Sequence, residues 1–195
     1  MHTPKLIIPH RFGDERGWFS ESYNRRELAE LDILTEFVQD NHSLSNTKGT
    51  LRGLHFQSPP HAQAKLVRCI AGAIWDVAVD VRANSPTFGK WVGAELTASV
   101  GEQLYIPVGF AHGFVTLTNH AEVAYKTSDY YVPECDGGII WNDPDIAVKW
   151  PIIDLDPILS DKDQRLGSLK DFVSPFCYNG IPMTPLGQGK FQNEV

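Results

Sequence analysis

The sequence is poor in the features that mark several large classes of protein. Only three cysteines occur in 195 residues, Cys69, Cys135 and Cys177, and no two of them form a CxxC pair. An odd, scattered set reads as reduced thiols rather than a disulfide framework. No apolar run approaches the roughly 20 residues that a membrane-crossing helix needs. The opening Met-His-Thr-Pro-Lys lacks the basic-then-apolar order of a secretory signal. The expectation is therefore a cytoplasmic protein with no membrane partner. Basic residues are the scarcer charge, 17 Lys and Arg against 24 Asp and Glu, for a formal net charge of −7. That balance lacks the broad basic face that nucleic acid requires, and it suits an anionic membrane surface poorly. Helix signals are also sparse. The clearest is at residues 24–31, where Asn24 and Glu27 are spaced as a capping box. A second short helix is expected at 161–168.

What is present is an ordinary core composition, 42% hydrophobic and 21% charged, in a length that suits one domain. Residues 74–82 alternate strictly. Trp75, Val77, Val79 and Val81 fall on one face, and Asp76, Ala78, Asp80 and Arg82 on the other. That two-residue period predicts a half-buried strand. Further strands are expected at 91–96, 103–107, 114–118 and 121–131, each bounded by Gly, Pro or Asn. Short strands at this spacing predict an all-β sandwich or barrel rather than βαβ units. The expected division is one domain over residues 1–175 and an extended C-terminal tail over 176–195, where Gly and Pro recur without periodicity.

Two segments carry chemistry. The first contains Leu51-Arg52-Gly53-Leu54-His55-Phe56-Gln57 and continues to Gln63-Ala64-Lys65 and Gly72. The second has Gly101, five residues, Pro107-Val108-Gly109, two residues, then His112. The second resembles the later of the two cupin motifs, which implies a small jelly-roll barrel with a few short helices and a site at its mouth. Metal-binding cupins ligate through His-x-His and a Glu of the first motif and a His of the second. Here Gln57 replaces the second His, and Lys65 stands seven residues before Gly72, where the Glu would fall. An ammonium cannot ligate a cation, so no metal is expected. The same positions offer a base (His55), a cation (Lys65) and a second imidazole (His112). This set suits proton abstraction beside a carbonyl, with the cation holding the enolate oxygen. Tyr125 is a candidate acid, on the strand face of Ala121 and Val123 that is expected to point inward. Each residue also has a bland reading. A lone His is commonly structural, a buried Tyr commonly just packs, Lys65 is open to being a strand residue facing water, and Arg52 to pairing with a surface acid.

The blocks Asp14-Glu15-Arg16-Gly17-Trp18-Phe19-Ser20-Glu21, Gln39-Asp40-Asn41-His42-Ser43, the two segments above, Tyr125-Lys126, Tyr130-Tyr131 and Trp141-Asn142-Asp143-Pro144 occur in order along the chain. In these blocks the sequence resembles the dTDP-4-dehydrorhamnose 3,5-epimerases over roughly residues 5–165. The resemblance implies a cofactor-free isomerase that inverts C3 and C5 of a dTDP-linked 4-keto-6-deoxyhexose. It implies His55 as the base, Asp163 as the carboxylate that orients it, Lys65 as the enolate-stabilising cation and Tyr125 as the proton donor. Arg16, Phe19, Glu21, Gln39, Asn41, Arg52, His112 and Lys162 match positions that hold the nucleotide diphosphate or the sugar. Tyr131 matches the aromatic that stacks on the base. The family forms homodimers in which N-terminal elements of one chain complete the partner's site. Three departures stand out: Asp136 where a nucleotide-contacting Glu is usual, Cys69 for a usual Val, and a longer tail. The alternatives are a monoepimerase of C3 or C5 on another nucleotide-linked 4-keto sugar, a metal-dependent cupin enzyme, and a non-catalytic sugar-binding cupin. The family reading also reconciles the acidic total with an anionic ligand: Arg16, Arg52, Lys65 and Lys162 would form one cationic pocket in an acidic exterior.

Overall fold

The computed structural model describes residues 3–152 and 156–190. In chain order the strands begin with β1 (Lys5–Ile8), β2 (Phe12–Asp14), β3 (Gly17–Phe19), β4 (Gln39–Ser45) and β5 (Leu51–Gln57). They continue with β6 (Lys65–Ala71), β7 (Ala73–Asp80), β8 (Trp91–Thr97), β9 (Gln103–Ile106) and β10 (Phe110–Thr116). The last are β11 (Ala121–Thr127), β12 (Asp136–Gly138) and β13 (Gln188–Lys190). Two short helices, α1 (Arg25–Glu30) and α2 (Asp161–Gln164), interrupt them. One sheet has six strands in the order β13-β1-β9-β6-β11-β4, and a second has five in the order β12-β5-β10-β7-β8. Strands β2 and β3 form a separate hairpin. The fold is the all-β cupin jelly roll with a few short helices. Among the described residues no helix is long and apolar enough to cross a membrane.

The two sheets face each other across one core. Val67, Leu104 and Val123 of the six-stranded sheet meet Ile74, Ala78, Leu96 and Phe110 of the other. A second cluster lies behind the five-stranded sheet, where Leu54, Val77, Val79 and Val81 are covered by Ile139, Phe172 and Phe176. This cover corrects the half-buried reading of residues 74–82. Val77, Val79 and Val81 pack under the C-terminal segment, while Asp76, Ala78 and Asp80 are buried on the opposite side. The polar residues of that strand do not face water; they face the interior of the sandwich.

Helix α1 keeps its expected place, and two other boundaries differ from the sequence reading because of partners distant in the chain. In α1 the side chain of Asn24 caps the amide of Arg26 at 3.0 Å, and its own amide donates to Glu21 at 2.9 Å. The cap is thus a simple one, tied to the chain before it. Helix α2 ends early because Gly167 leaves it to pair with Ile139, and its carbonyl accepts from the amide of Ile140 at 2.9 Å. Strand β11 stops at Thr127 because Gln57 holds the next segment. Gln57 donates to the carbonyl of Tyr130 at 2.9 Å and accepts from the amide of Val132 at 2.9 Å. The residue that breaks the metal motif therefore anchors the loop carrying Tyr131.

The chain beyond residue 175 lies on the body as far as it is described; residues 191–195 fall outside the described range. Arg82, 2% exposed, is clamped by Asp80 at 2.7 Å and donates to Asn179 at 3.1 Å and to the carbonyl of Ile181 at 3.0 Å. Met183 and Leu186 pack against the central core, and β13 extends the six-stranded sheet parallel to β1.

Candidate active site

Strand alternation turns every second side chain of β4, β5, β10 and β11 into the sandwich. Toward one end the apolar filling gives way to polar groups around two adjoining hollows, of about 400 and 260 Å³. His55, Lys65, Tyr125 and Lys162 line both. Beyond them, one hollow is flanked by Gln39, Asn41, Tyr131 and Asp136. The other is flanked by Ser43, Arg52, His112 and Asp163. The predicted base, cation and acid thus stand together at the boundary between the two.

His55 on β5 sits directly across from His112 on β10. Its Nε2 lies 2.6 Å from Oδ1 of Asp163, close enough for a charge-assisted pair although off the ideal N–H direction. Asp163 is held from two further sides. The hydroxyl of Ser160 donates to Oδ2 at 2.6 Å, and the amide of Gly53 donates to Oδ1 at 3.3 Å. Burial works against the ionised form of Asp163, but the bonds from His55, Ser160 and Gly53 outweigh it and hold the carboxyl pKa at about 2. Gly53 is required where it stands. Its φ is +135°, and a Cβ there would lie 2.5 Å from the Cα of Gly113.

Lys65 opens β6. Burial pushes its ammonium down from 10.5 to about 8, against the attraction of Asp136 and Asp76. A group at about 8 remains mainly charged at neutral pH, yet it is poorly solvated, which strengthens its pull on a nearby oxyanion. Burial raises the phenol of Tyr125, with the Arg52 charge opposing it. The phenol therefore keeps its proton at neutral pH. Tyr125 packs beside Ala121 and Val123 on the inward face, as the alternation predicted.

His112 forms a second histidine–carboxylate pair, with Nε2 2.5 Å from Oδ1 of Asp76. Asp76 is fully buried and its Oδ2 has no hydrogen-bond partner among the described residues. Burial lowers the pKa of the His112 ring, with Asp76 opposing. The sequence reading gave Asp76 no functional place. Its signal was available in the alternation of β7, once that strand's polar face is known to point inward. Among the described residues no group of three or more His, Cys, Asp or Glu is placed to hold a metal ion.

A model of the dTDP-4-dehydrorhamnose 3,5-epimerase family matches residues 2–171. The chain belongs to this family. The enzyme of that name from Escherichia coli K12 is 53% identical over 169 residues, covering 86% of this chain and 90% of the relative. A crystal structure from Bacillus anthracis with TDP and pyrophosphate bound superposes with a TM-score of 0.82 at 51% identity, covering 85% of this chain and 93% of that one. A Legionella pneumophila epimerase in complex with dTDP-4-keto-L-rhamnose gives 0.83 at 47% identity, covering 87% and 89%. A 3'-monoepimerase from Streptomyces bikiniensis with dTDP-quinovose bound gives 0.80 at 32% identity, covering 87% and 88%.

Within this family frame, the structure gathers most of the expected site residues. Gln39 donates to Asn41 at 2.9 Å and accepts from the amide of Tyr131 at 3.3 Å. Asp136, the departure from a usual Glu, pairs with Lys162 and accepts from the hydroxyl of Tyr131 at 3.2 Å. The pocket is thus cationic only in part, because Asp136 and Lys162 offset each other. Among the described residues Arg52 makes only long hydrogen bonds, 3.4 Å to Ser45 and to the carbonyl of Leu44. Three epimerase positions stand apart. Arg16 and Phe19 are on the β2–β3 hairpin, Glu21 follows it, and none of the three lines either hollow. Arg16 pairs with Asp14 at 2.5 Å, and Phe19 is 65% exposed.

Proposed function

We propose that the protein is a dTDP-4-dehydrorhamnose 3,5-epimerase that converts dTDP-4-keto-6-deoxy-D-glucose to dTDP-4-keto-L-rhamnose. The observation that carries this reading is the placement of His55, Lys65 and Tyr125 around one space, with Asp163 behind the base. Nε2 of His55 faces Asp163, so Nδ1 is the nitrogen for the substrate proton. His55 takes the proton from the carbon beside the C4 ketone. The C–H electrons form the C=C bond, and the carbonyl electrons move to O4. The ammonium of Lys65 stabilises that oxyanion. Tyr125 then returns a proton to the same carbon from the other face, while O4 gives its electrons back to the carbonyl. The phenolate and imidazolium reset through solvent. Both C3 and C5 adjoin the same ketone, so one set of groups serves two inversions. The cation in this scheme is Lys65, and neither metal nor cofactor is called on.

The reading extends to the remaining positions. Tyr131 stacks on the base, and Gln39, Asn41, Asp136 and Lys162 meet the nucleotide diphosphate. Arg52 and His112 face the sugar. Arg16, Phe19 and Glu21 act across a homodimer, in the partner's site. In support, the hairpin stands away from its own chain's hollows, and Leu44 and Ile70 leave apolar area on the outside of the six-stranded sheet. The catalytic unit is residues 1–175, followed by a C-terminal segment, 176–195, whose described part packs on that unit, and the location is the cytoplasm. The test is turnover of dTDP-4-keto-6-deoxyglucose in deuterated water. Deuterium at both C3 and C5 is expected. Label at one carbon alone would make the protein a monoepimerase, and label at neither would overturn the reading.

A further inference from the structure

Four side chains of β4 alternate onto its inner face: Gln39, Asn41, Ser43 and Ser45. Three of them have partners there. Gln39 donates to Asn41 and accepts from the Tyr131 amide, and Ser45 accepts from Arg52. Ser43 is different. Its Oγ is out of contact with solvent and has no hydrogen-bond partner among the described residues. It lines the hollow that holds Arg52, His55, Lys65 and Tyr125. A buried hydroxyl left unpaired is unfavourable, and most such groups in native proteins are satisfied. The partner that the fold withholds is one that a bound molecule can supply.

We infer that Ser43 is a substrate-positioning residue that hydrogen-bonds an oxygen substituent of the bound hexose. The inference rests on the epimerase reading for which ligand fills the hollow. The geometry selects the sugar over the nucleotide. Tyr131 and Asp136 flank one hollow, and the reacting groups stand at the boundary. A nucleotide seated against Tyr131 places its sugar at His55, Lys65 and Tyr125. Ser43 lies on the other side of that boundary, next to Arg52. It is the cross-strand neighbour of Val123, one inward position along the sheet from the Asn41–Tyr125 pair. A hydroxyl there fixes the ring relative to the proton donor without taking part in the transfer.

The test compares two ligands in titration calorimetry on wild type, Ser43→Ala and Ser43→Cys: dTDP alone and the unreactive dTDP-glucose. For Ser43→Ala, dTDP-glucose affinity is expected to fall about fivefold, the factor of an ordinary net hydrogen bond, with dTDP affinity unchanged. Ser43→Cys, a similar volume with a weaker donor, is expected to fall between the two. The melting temperature of Ser43→Ala is expected to hold or rise, because an unsatisfied polar atom is removed. A structural hydroxyl would lower it. Equal losses for both ligands, no loss for either, or a fall in melting temperature would each overturn the assignment. The readout is binding, so it decides on Ser43 separately from the exchange experiment. Wild type that exchanged no proton would sink the epimerase reading, whereas exchange-competent wild type with an unaltered Ser43→Ala would sink only this contact.

Discussion

The site contains the same pair twice, a histidine against a carboxylate, and the two copies are built differently. His55 keeps a quarter of its side chain accessible while Asp163 behind it is 4% exposed. His112 is 8% exposed and Asp76 is not exposed at all. Asp163 accepts from Ser160 and Gly53 and lies 2.6 Å from Nε2 of His55, so both of its oxygens face a donor or a possible cation. Asp76 accepts from one and leaves its other oxygen unpaired. The first pair therefore presents an oriented nitrogen to a cavity. The second keeps its imidazole neutral in the wall of the hollow and contributes a negative charge that helps keep Lys65 protonated. Identical residue types take different roles because solvent access and the number of donors differ.

The comparison breaks most directly at the imidazoles. His55→Gln is expected to lower deuterium exchange at C3 and C5 by about 1,000-fold, within the range of general acid–base catalysis, with little change in melting temperature. His112→Ala is expected to cost less activity but about 3 kcal/mol of stability in denaturant melts, because it strands the buried Asp76 charge. If the two variants lost activity equally and stability equally, the distinction between the pairs would be wrong.

Lys65, which lines the same hollow as both histidines, comes next. Lys65→Met is expected to lower kcat by about 100-fold, as for the loss of one oxyanion donor. The same change is expected to raise the melting temperature at pH 7. The folded ammonium sits at about 8 against 10.5 for an exposed lysine. Folding therefore disfavours its charged form below about 8, a penalty that fades as pH rises from the folded value toward the ordinary one. Loss of both activity and stability would contradict this.

The carboxylates separate the pairs through pH. The basic limb of the rate profile is expected near 8, where Lys65 loses its proton. Asp76→Asn removes a charge that holds that proton, so the limb is expected to move to lower pH. Asp163→Asn is expected to leave the limb in place and lower kcat by about tenfold or more through misorientation of His55. A limb that moved with Asp163 and not with Asp76 would reverse the assignment. The smallest effect is on acid stability. Asp163 is depressed to about 2, so its contribution is whole above the ordinary carboxylate range and lost as pH falls toward 2. Wild type is expected to lose that stability over this interval, and Asp163→Asn is expected to lack the step.

Much of this was legible in the order of residues. The strand period of β7, the inward face of Tyr125, the cap at Asn24 and the lysine in place of a metal ligand were all local patterns. The half-buried reading of β7 failed because alternation records two chemically different faces, not what covers each. The polar face is buried only because the opposing sheet and His112 come to meet it. The length of α2 failed for a similar reason, since Gly167 answers to a strand edge distant in sequence.

The sequence by itself determined an all-β chain with an imidazole, an ammonium and a phenol as candidates for one site, because side-chain type and strand period are local properties, while the jelly roll and the place of Asp163 came from the family resemblance. Only the tertiary structure decided their working states. Lys65 reaches about 8 through burial, against the pull of two carboxylates distant in the chain, Asp163 is held ionised by groups of β5 together with Ser160, and Ser43 is left without a partner among the described residues in a hollow. Desolvation and hydrogen bonding across a sheet sandwich arise between residues far apart in the chain, so they exist only once the fold has brought those residues together.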